Sequence, residues 1–141
     1  MPIASESGTN SKLLTEIKWV SRLSRQPNWA IEKVTSPYTI IWFILQGRKT
    51  IRLNETEYKL QPGDLVVIRP QVSITVLADG AGQAAMEHFA IGLSLKLGLF
   101  DLVSLYKLTI VNAITNQSSR ERLSAVWTDL ADAFNRLDRY E

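Results

Sequence analysis

The chain predicts a mainly β fold: a small jelly-roll barrel followed by a C-terminal α-helix or helix pair. Three observations carry this. From residue 29 to residue 95, short apolar runs alternate with turn residues about every 8–12 positions, as in a sandwich or barrel. Pro62-Gly63-Asp64 punctuates the middle of that region. Beyond residue 112 the period changes, and Leu123, Trp127, Leu130, Phe134 and Leu137 follow at spacings of 4, 3, 4 and 3, a two-heptad helical stripe.

Each element has its own signal. Lys12 to Leu23 is open between two readings: Leu13, Leu14, Ile17 and Val20 suit a helix face, whereas Trp19, Ser21 and Leu23 suit a strand. Pro27-Asn28 breaks whatever precedes it, and Trp29 to Thr35 reads as a strand closed by Ser36-Pro37. Tyr38 to Leu45 is apolar on both faces apart from Thr39 and rich in β-branched and aromatic residues, the pattern of a strand buried on both sides. Gly47 ends it. Lys49 to Leu53 alternates, with Ile51 and Leu53 on one face; Asn54-Glu55 turns, and Tyr58 and Leu60 continue the alternation. Leu65 to Ile68 is a further apolar strand, and Val72, Ile74 and Val76 an alternating one. Residues 78–82 form a loop, and Gln83 to Leu95 a long strand bent near Gly92. Leu97 to Val111 is irregular and apolar, a connector packing across the barrel. Ser118-Ser119-Arg120-Glu121 has capping-box spacing and is expected to start the terminal helix.

Composition removes several function classes. The net charge is +2 with the sixteen basic residues scattered, so there is no electrostatic footprint for nucleic acid. The absence of cysteine excludes disulfides, thiolate zinc sites and cysteine nucleophiles and fits a reducing compartment. No apolar run approaches the ~20 residues of a membrane span, and Met1 to Asn10 lacks the basic start and apolar stretch of a signal peptide; a cytoplasmic protein is expected. The single histidine, His88, has no nucleophile elbow beside it, and Gly80 and Gly82 lack the lysine and helix of a phosphate loop.

The order of these signals resembles the cupin barrel that forms the N-terminal ligand-binding domain of AraC-type transcriptional regulators. A strand leads to a glycine (Tyr38 to Gly47), a hairpin follows (Arg48 to Leu60), and then comes Pro62-Gly63-Asp64 with an apolar strand ending at Pro70. Pro27-Asn28-Trp29 resembles the family's lead-in, His88-Phe89 its last barrel strand, and the heptad helix its dimerisation helix. The resemblance runs from about residue 19 to the C-terminus. It implies a flexible N-terminal segment (1–15), a cupin-like barrel with connector (16–112) and a helical dimerisation segment (113–141). The DNA-binding domain that such regulators carry is absent from this chain, which is expected to be a sensor fragment.

An enzymatic cupin sets two or three histidines and a glutamate around one metal. Aligned on the family pattern, the glutamate falls at Ile40, the first histidine pair between Lys33 and Ser36, and the later histidine at Ile74 or Thr75. None is a strong ligand, so no metal, no cofactor and no catalytic residue are expected. If Ile40 points inward, so do Tyr38, Trp42 and Ile44, and Ile74 brings Val72 and Val76 with it. Trp42 suits stacking on a sugar face or planar effector. His88 offers a hydrogen bond, and Arg69, at a strand end, offers a charge for an anion, with Glu87 a similar case. The expected ligand-binding residues are therefore Tyr38, Trp42, Ile74, His88 and Arg69, each weighed against plain packing or a solvated surface position.

The terminal stripe would bury roughly 600–700 Å², on the order of 15 kcal/mol gross, too much to leave in water. Leu123, Trp127, Leu130, Phe134 and Leu137 are expected to form a homodimer seam, one flank resting on the chain's own connector. The resulting expectation is a non-enzymatic, effector-sensing and dimerising domain that binds a small molecule such as a sugar and reaches DNA only through a further domain. Two alternatives stand beside it: a metal-free cupin enzyme or isomerase acting through His88 or Glu87, and an interaction module with a filled barrel.

Overall fold

The ambiguous first segment is a strand. In the computed structural model, which describes residues 13–78, 85–105 and 110–139, β1 (Leu13–Arg25) pairs antiparallel with β8 (Met86–Leu97) along its whole length, from Leu13 opposite Leu97 to Arg25 opposite Met86. Its start at Leu13 lies inside the segment expected to precede the barrel; residues 1–12 lie outside the described residues. The register slips between Ile17 and Trp19, opposite Leu93 and Gly92. There the Trp19 indole lies where a Cβ on Gly92 would stand, so only glycine admits this ring against the sheet.

β2 (Ile31–Val34), β3 (Thr39–Gln46), β4 (Lys49–Leu53), β5 (Thr56–Leu60), β6 (Asp64–Ile68) and β7 (Ile74–Val76) follow in chain order. β8 leads into β9 (Phe100–Asp101), a short helix α1 (Leu102–Leu105), β10 (Ile110–Ala113) and the terminal helix α2 (Gln117–Arg139). Strands β9-β8-β3-β6-β10 form one sheet, with β1 on the other side of β8, and β2-β7-β4-β5 form the second. The connector read as irregular thus contributes two strands to the larger sheet: β10 adds to β6 with Ile110 opposite Val67. The strand expected from Trp29 begins only at Ile31, because Trp29 closes a turn through its N–H to the Gln26 carbonyl (2.9 Å).

Period-two alternation divides the larger sheet into two faces. Ile40, Trp42 and Ile44 of β3 look into the space between the sheets with Ile51, Leu60, Ile68, Ile74 and Met86. Ile41, Phe43 and Leu45 look the other way, with Val20, Phe89 and Ile91, and α2 covers them. The molecule therefore has an inter-sheet core and a sheet–helix core sharing the strands β1, β3 and β8.

The helix is fixed at its start by residues other than those expected. Asn116, not Ser118, is the N-cap: its Oδ1 accepts the Ser119 N–H at 3.0 Å, the N3 donor left free at a helix start. Glu121 instead accepts from Gln117 Nε2 at 3.2 Å, one turn away. Arg120 donates to the carbonyls of Ile114 and Pro62, and its guanidinium lies where a Cβ on Gly63 (φ 94°) would stand. The Gly63 carbonyl accepts the Ile114 N–H at 2.8 Å. Pro62-Gly63-Asp64 is thus both a turn and the dock for the first turn of α2.

Candidate functional site

The informative feature of the inter-sheet core is a polar group without access to water. His88 on β8 is fully buried; its ring stacks on Trp29 (centroids 5.7 Å apart, 21° between planes) and tilts against Trp42 at 5.3 Å. Trp29 and Trp42 meet edge to face at 6.1 Å. The Arg25 Nε–H donates to His88 Nε2 at 3.4 Å, so that nitrogen carries no proton, and Nδ1–H donates to the Phe89 carbonyl at 3.3 Å. Burial pushes the imidazole from its usual 6.5 down to about 4; the Phe89 carbonyl opposes this and the neighbouring Arg25 charge adds to it. His88 is therefore neutral at pH 7, a donor–acceptor pair with both ends engaged.

Arg25 also stands over the Trp29 ring, its guanidinium carbon 4.5 Å from the centroid. Because Arg25 and His88 touch, they lie side by side against the indole rather than on opposite faces. A second cation lies close by. Lys49, at the start of β4, is 2% exposed and donates to the carbonyls of Pro27 (2.8 Å), Trp29 (2.8 Å) and Leu77 (3.4 Å). It staples the turn carrying Trp29 to the barrel end. Neither Arg25 nor Lys49 has a carboxylate partner among the described residues.

Of the residues expected to bind ligand, Trp42, Ile74 and His88 share the inter-sheet core. Tyr38 does not join them: it precedes β3, is half-buried, and lies under the Lys18 ammonium, 4.9 Å from its ring centroid. Arg69 is half-buried one residue beyond β6. Glu87 faces away from His88 and pairs with Arg22 at 3.0 Å. Trp29, Arg25 and Lys49 escaped the site reading. A signal for Lys49 existed, since it is in phase with Ile51 and Leu53; Trp29 and Arg25 join the site only through a turn and a pairing distant in sequence.

The helix residues expected at a subunit seam rest on the chain's own sheet. Trp127 is 6% exposed, stacks on Phe89 (5.6 Å, 15°) and donates from Nε1 to the Ala90 carbonyl at 3.2 Å. Leu123, Leu130 and Phe134 pack on the same cluster; the Leu137 side chain lies outside the described residues. Open clefts flank the helix: one of about 550 Å³ is lined by Arg22, Leu45, Glu87, Ser124, Thr128 and Asp129 among others, and one of about 380 Å³ lies between Pro62-Gly63 and the first turns of α2. Neither is lined by His88, Trp29 or Trp42. Among the described residues no group of three or more His, Cys, Asp or Glu side chains is placed to hold a metal ion, and no helix is long and apolar enough to cross a membrane.

No curated protein matches the chain. Solved structures similar to it include a cupin superfamily protein from Desulfitobacterium hafniense (17% identity, 60% of this chain and 79% of that one, TM-score 0.46). A Cupin 2 conserved barrel domain protein from Salinispora arenicola is similar at 14% identity, with 58% and 76% covered and a TM-score of 0.46. A protein from Thermotoga maritima described as a predicted oxalate decarboxylase is similar at 17%, with 57% and 67% covered and a TM-score of 0.47. The sequence model of the AraC-like ligand binding domain matches residues 21–139, nearly the whole of the two-sheet barrel together with α2, and the chain belongs to that family.

Proposed function

We propose that this chain is the effector-sensing domain of an AraC-like transcription regulator, and that a small molecule enters the inter-sheet core at the end formed by Trp29, Trp42 and His88. One observation carries the reading: a fully buried, neutral histidine set among aromatic rings at one end of the inter-sheet core. Buried polar groups are the informative exceptions in a core, and this one lies on the strand that also anchors α2. His88 looks inward, Phe89 stacks outward on Trp127, and the Ala90 carbonyl holds the Trp127 N–H. A ligand that reorients His88 acts on a residue whose neighbours hold the helix, so two packings of α2 differ in ligand affinity, as an effector requires.

The regulator acts in the cytoplasm, without catalysis, as a homodimer, with DNA contacted by a domain outside this chain. Because Trp127 and Leu130 are engaged within the chain, the exposed side of α2, around Val126 (58% exposed), is the part left for a second copy.

The single histidine gives a direct test. One imidazole resonance pair in nitrogen-detected NMR reports the barrel interior without assignment. A sugar and organic-acid library is screened by thermal shift, and each hit is then titrated against that resonance. Hits that stabilise the protein and move it support the reading. Hits that stabilise without moving it, on a protein whose His88 resonance is visible, place the ligand elsewhere and defeat it.

A further inference from the structure

The interior end of the barrel is occupied by the chain itself. Trp29 is not in a strand; it lies in the turn closed by its N–H to the Gln26 carbonyl, is half-buried, and lays its ring against His88, Arg25 and Trp42. Two cations sit around it without a carboxylate among the described residues: Arg25 on the ring and Lys49 on the backbone carbonyls of Pro27 and Trp29. The nearest acid in sequence to His88, Glu87, is held by Arg22 on the other side of the sheet.

If the turn swings out, both effects act together. The ring leaves a flat slot bounded by Arg25, His88 and Trp42. Lys49 loses the Pro27 and Trp29 carbonyls and keeps only that of Leu77, at 3.4 Å. A buried ammonium with so few acceptors is costly. The open state is therefore stabilised by a molecule that supplies both a planar ring for the slot and an anion for the cations.

We propose that Trp29 is a displaceable plug and that the effector is a planar aromatic or heteroaromatic carboxylate, its ring taking the place of the Trp29 indole and its carboxylate engaging Arg25 and Lys49. This rests on the reading that a ligand enters the barrel, and adds which ligand class and by which exchange. Arg25 is suited to both parts, since guanidinium stacks on rings and pairs with carboxylates.

The probes are indole-3-carboxylate and its uncharged analogue indole-3-carboxamide, titrated into the parent, Trp29→Ala, and Trp29→Ala with Lys49→Met. Readouts are the melting temperature and the His88 imidazole resonance. Expected is binding of the carboxylate to Trp29→Ala at least about tenfold tighter than the carboxamide, with His88 shifted, and loss of most of that preference in the double variant. A folded Trp29→Ala that binds neither probe, or both equally, overturns the proposal.

If Trp29→Ala does not fold, the parent is labelled with fluorotryptophan, Trp29→Phe identifying the resonance. A saturable shift of that signal toward the solvent-exposed position with the carboxylate alone supports the exchange, and an unmoved signal at saturation overturns it. Failure here is separable from failure of the barrel reading. Library compounds that move His88 in the parent while planar carboxylates leave Trp29 in place sink the plug alone. If no compound of any class moves His88 in parent or variant, both fall.

Discussion

Truncation of Trp127 decides whether α2 belongs to this barrel or to a partner. In the structure the side chain is 6% exposed, stacks on Phe89 at 5.6 Å and donates to the Ala90 carbonyl at 3.2 Å. Removing an indole from such a setting costs about 3–5 kcal/mol. Trp127→Phe keeps the stack and loses the hydrogen bond and part of the area, for about 1–2 kcal/mol. The total stability of a domain is about 5–15 kcal/mol, so Trp127→Ala leaves a marginal protein. With a urea slope of about 2 kcal/mol per molar the midpoint falls by roughly 2 M. The assay is urea unfolding followed by circular dichroism at two protein concentrations a hundredfold apart, with sedimentation equilibrium on each protein. If the helix is intramolecular, both variants lose stability by amounts that do not depend on concentration. A Trp127→Ala protein that keeps its unfolding free energy within about 1 kcal/mol of the parent, or loses only a subunit contact, would refute the packing argued above.

Three further outcomes follow from single groups. Burial holds the His88 pKa at about 4 in the folded protein, against its ordinary 6.5, so the unfolded chain takes up its proton first as pH falls. The associated stability is fully present above about pH 6.5 and is lost between 6.5 and 4, by on the order of 3 kcal/mol; the pH dependence of urea midpoints in parent and His88→Gln isolates it, and parallel curves would contradict the burial of the ring. Asn116→Ala removes the N-cap of α2 and is expected to cost about 1 kcal/mol, with Asn116→Asp near neutral; calorimetry checks both. The Thr39 hydroxyl is buried without a hydrogen-bond partner among the described residues, so Thr39→Val relieves an unmet polar group and is expected to raise stability by about 1 kcal/mol, read as a rise in melting temperature.

What the sequence made legible was local. Asn54, which adopts φ 55°, and Pro62-Gly63 announce their turns by residue type, and period two in β3 sorts Ile40, Trp42 and Ile44 from Ile41, Phe43 and Leu45, while both sets being apolar leaves it to the resemblance to say which looks inward. The segment from Leu13 to Arg25 is open in sequence, because a bulged strand that gives Ile17 and Val20 to one core and Trp19 and Leu23 to the other can match helical spacing by chance; pairing with β8, some seventy positions away, settles it. The heptad stripe identified the buried face of α2 but not its partner, since the spacing of Leu123, Trp127 and Leu130 is the same on a sheet as on another helix. The sequence points to Ser118 as N-cap because Ser118 and Glu121 have box spacing, whereas Asn116, two residues earlier, holds the N3 amide. The candidate site was half legible. Ile74 and His88 follow from the family resemblance and Trp42 from period two counted from Ile40, whereas Trp29 reaches them through a turn whose position depends on Lys49 from a different sheet.

Under the proposed function, that dependence bears on how a signal would leave the barrel. β8 carries three consecutive residues with three separate duties: His88 lines the interior, Phe89 stacks on Trp127, and Ala90 accepts the Trp127 N–H. β1 lies along the same strand, and Arg25, which touches both His88 and Trp29, is its last residue. α2 packs on β1 as well as on β8, through Val20 and Ile17 in the outer cluster. An event at Trp29 therefore meets the helix through two paired strands, with no loop between them. Close-packed strands do not deform smoothly, so the change delivered to α2 is expected to be a shift between discrete packings of the helix on Phe89. If so, Trp127→Phe, which keeps the ring stack and drops the Ala90 bond, loosens that choice and alters ligand affinity at the distant barrel end, where Trp127 makes no contact. Unchanged affinity in a folded Trp127→Phe protein would leave the barrel and its helix as neighbours without coupling.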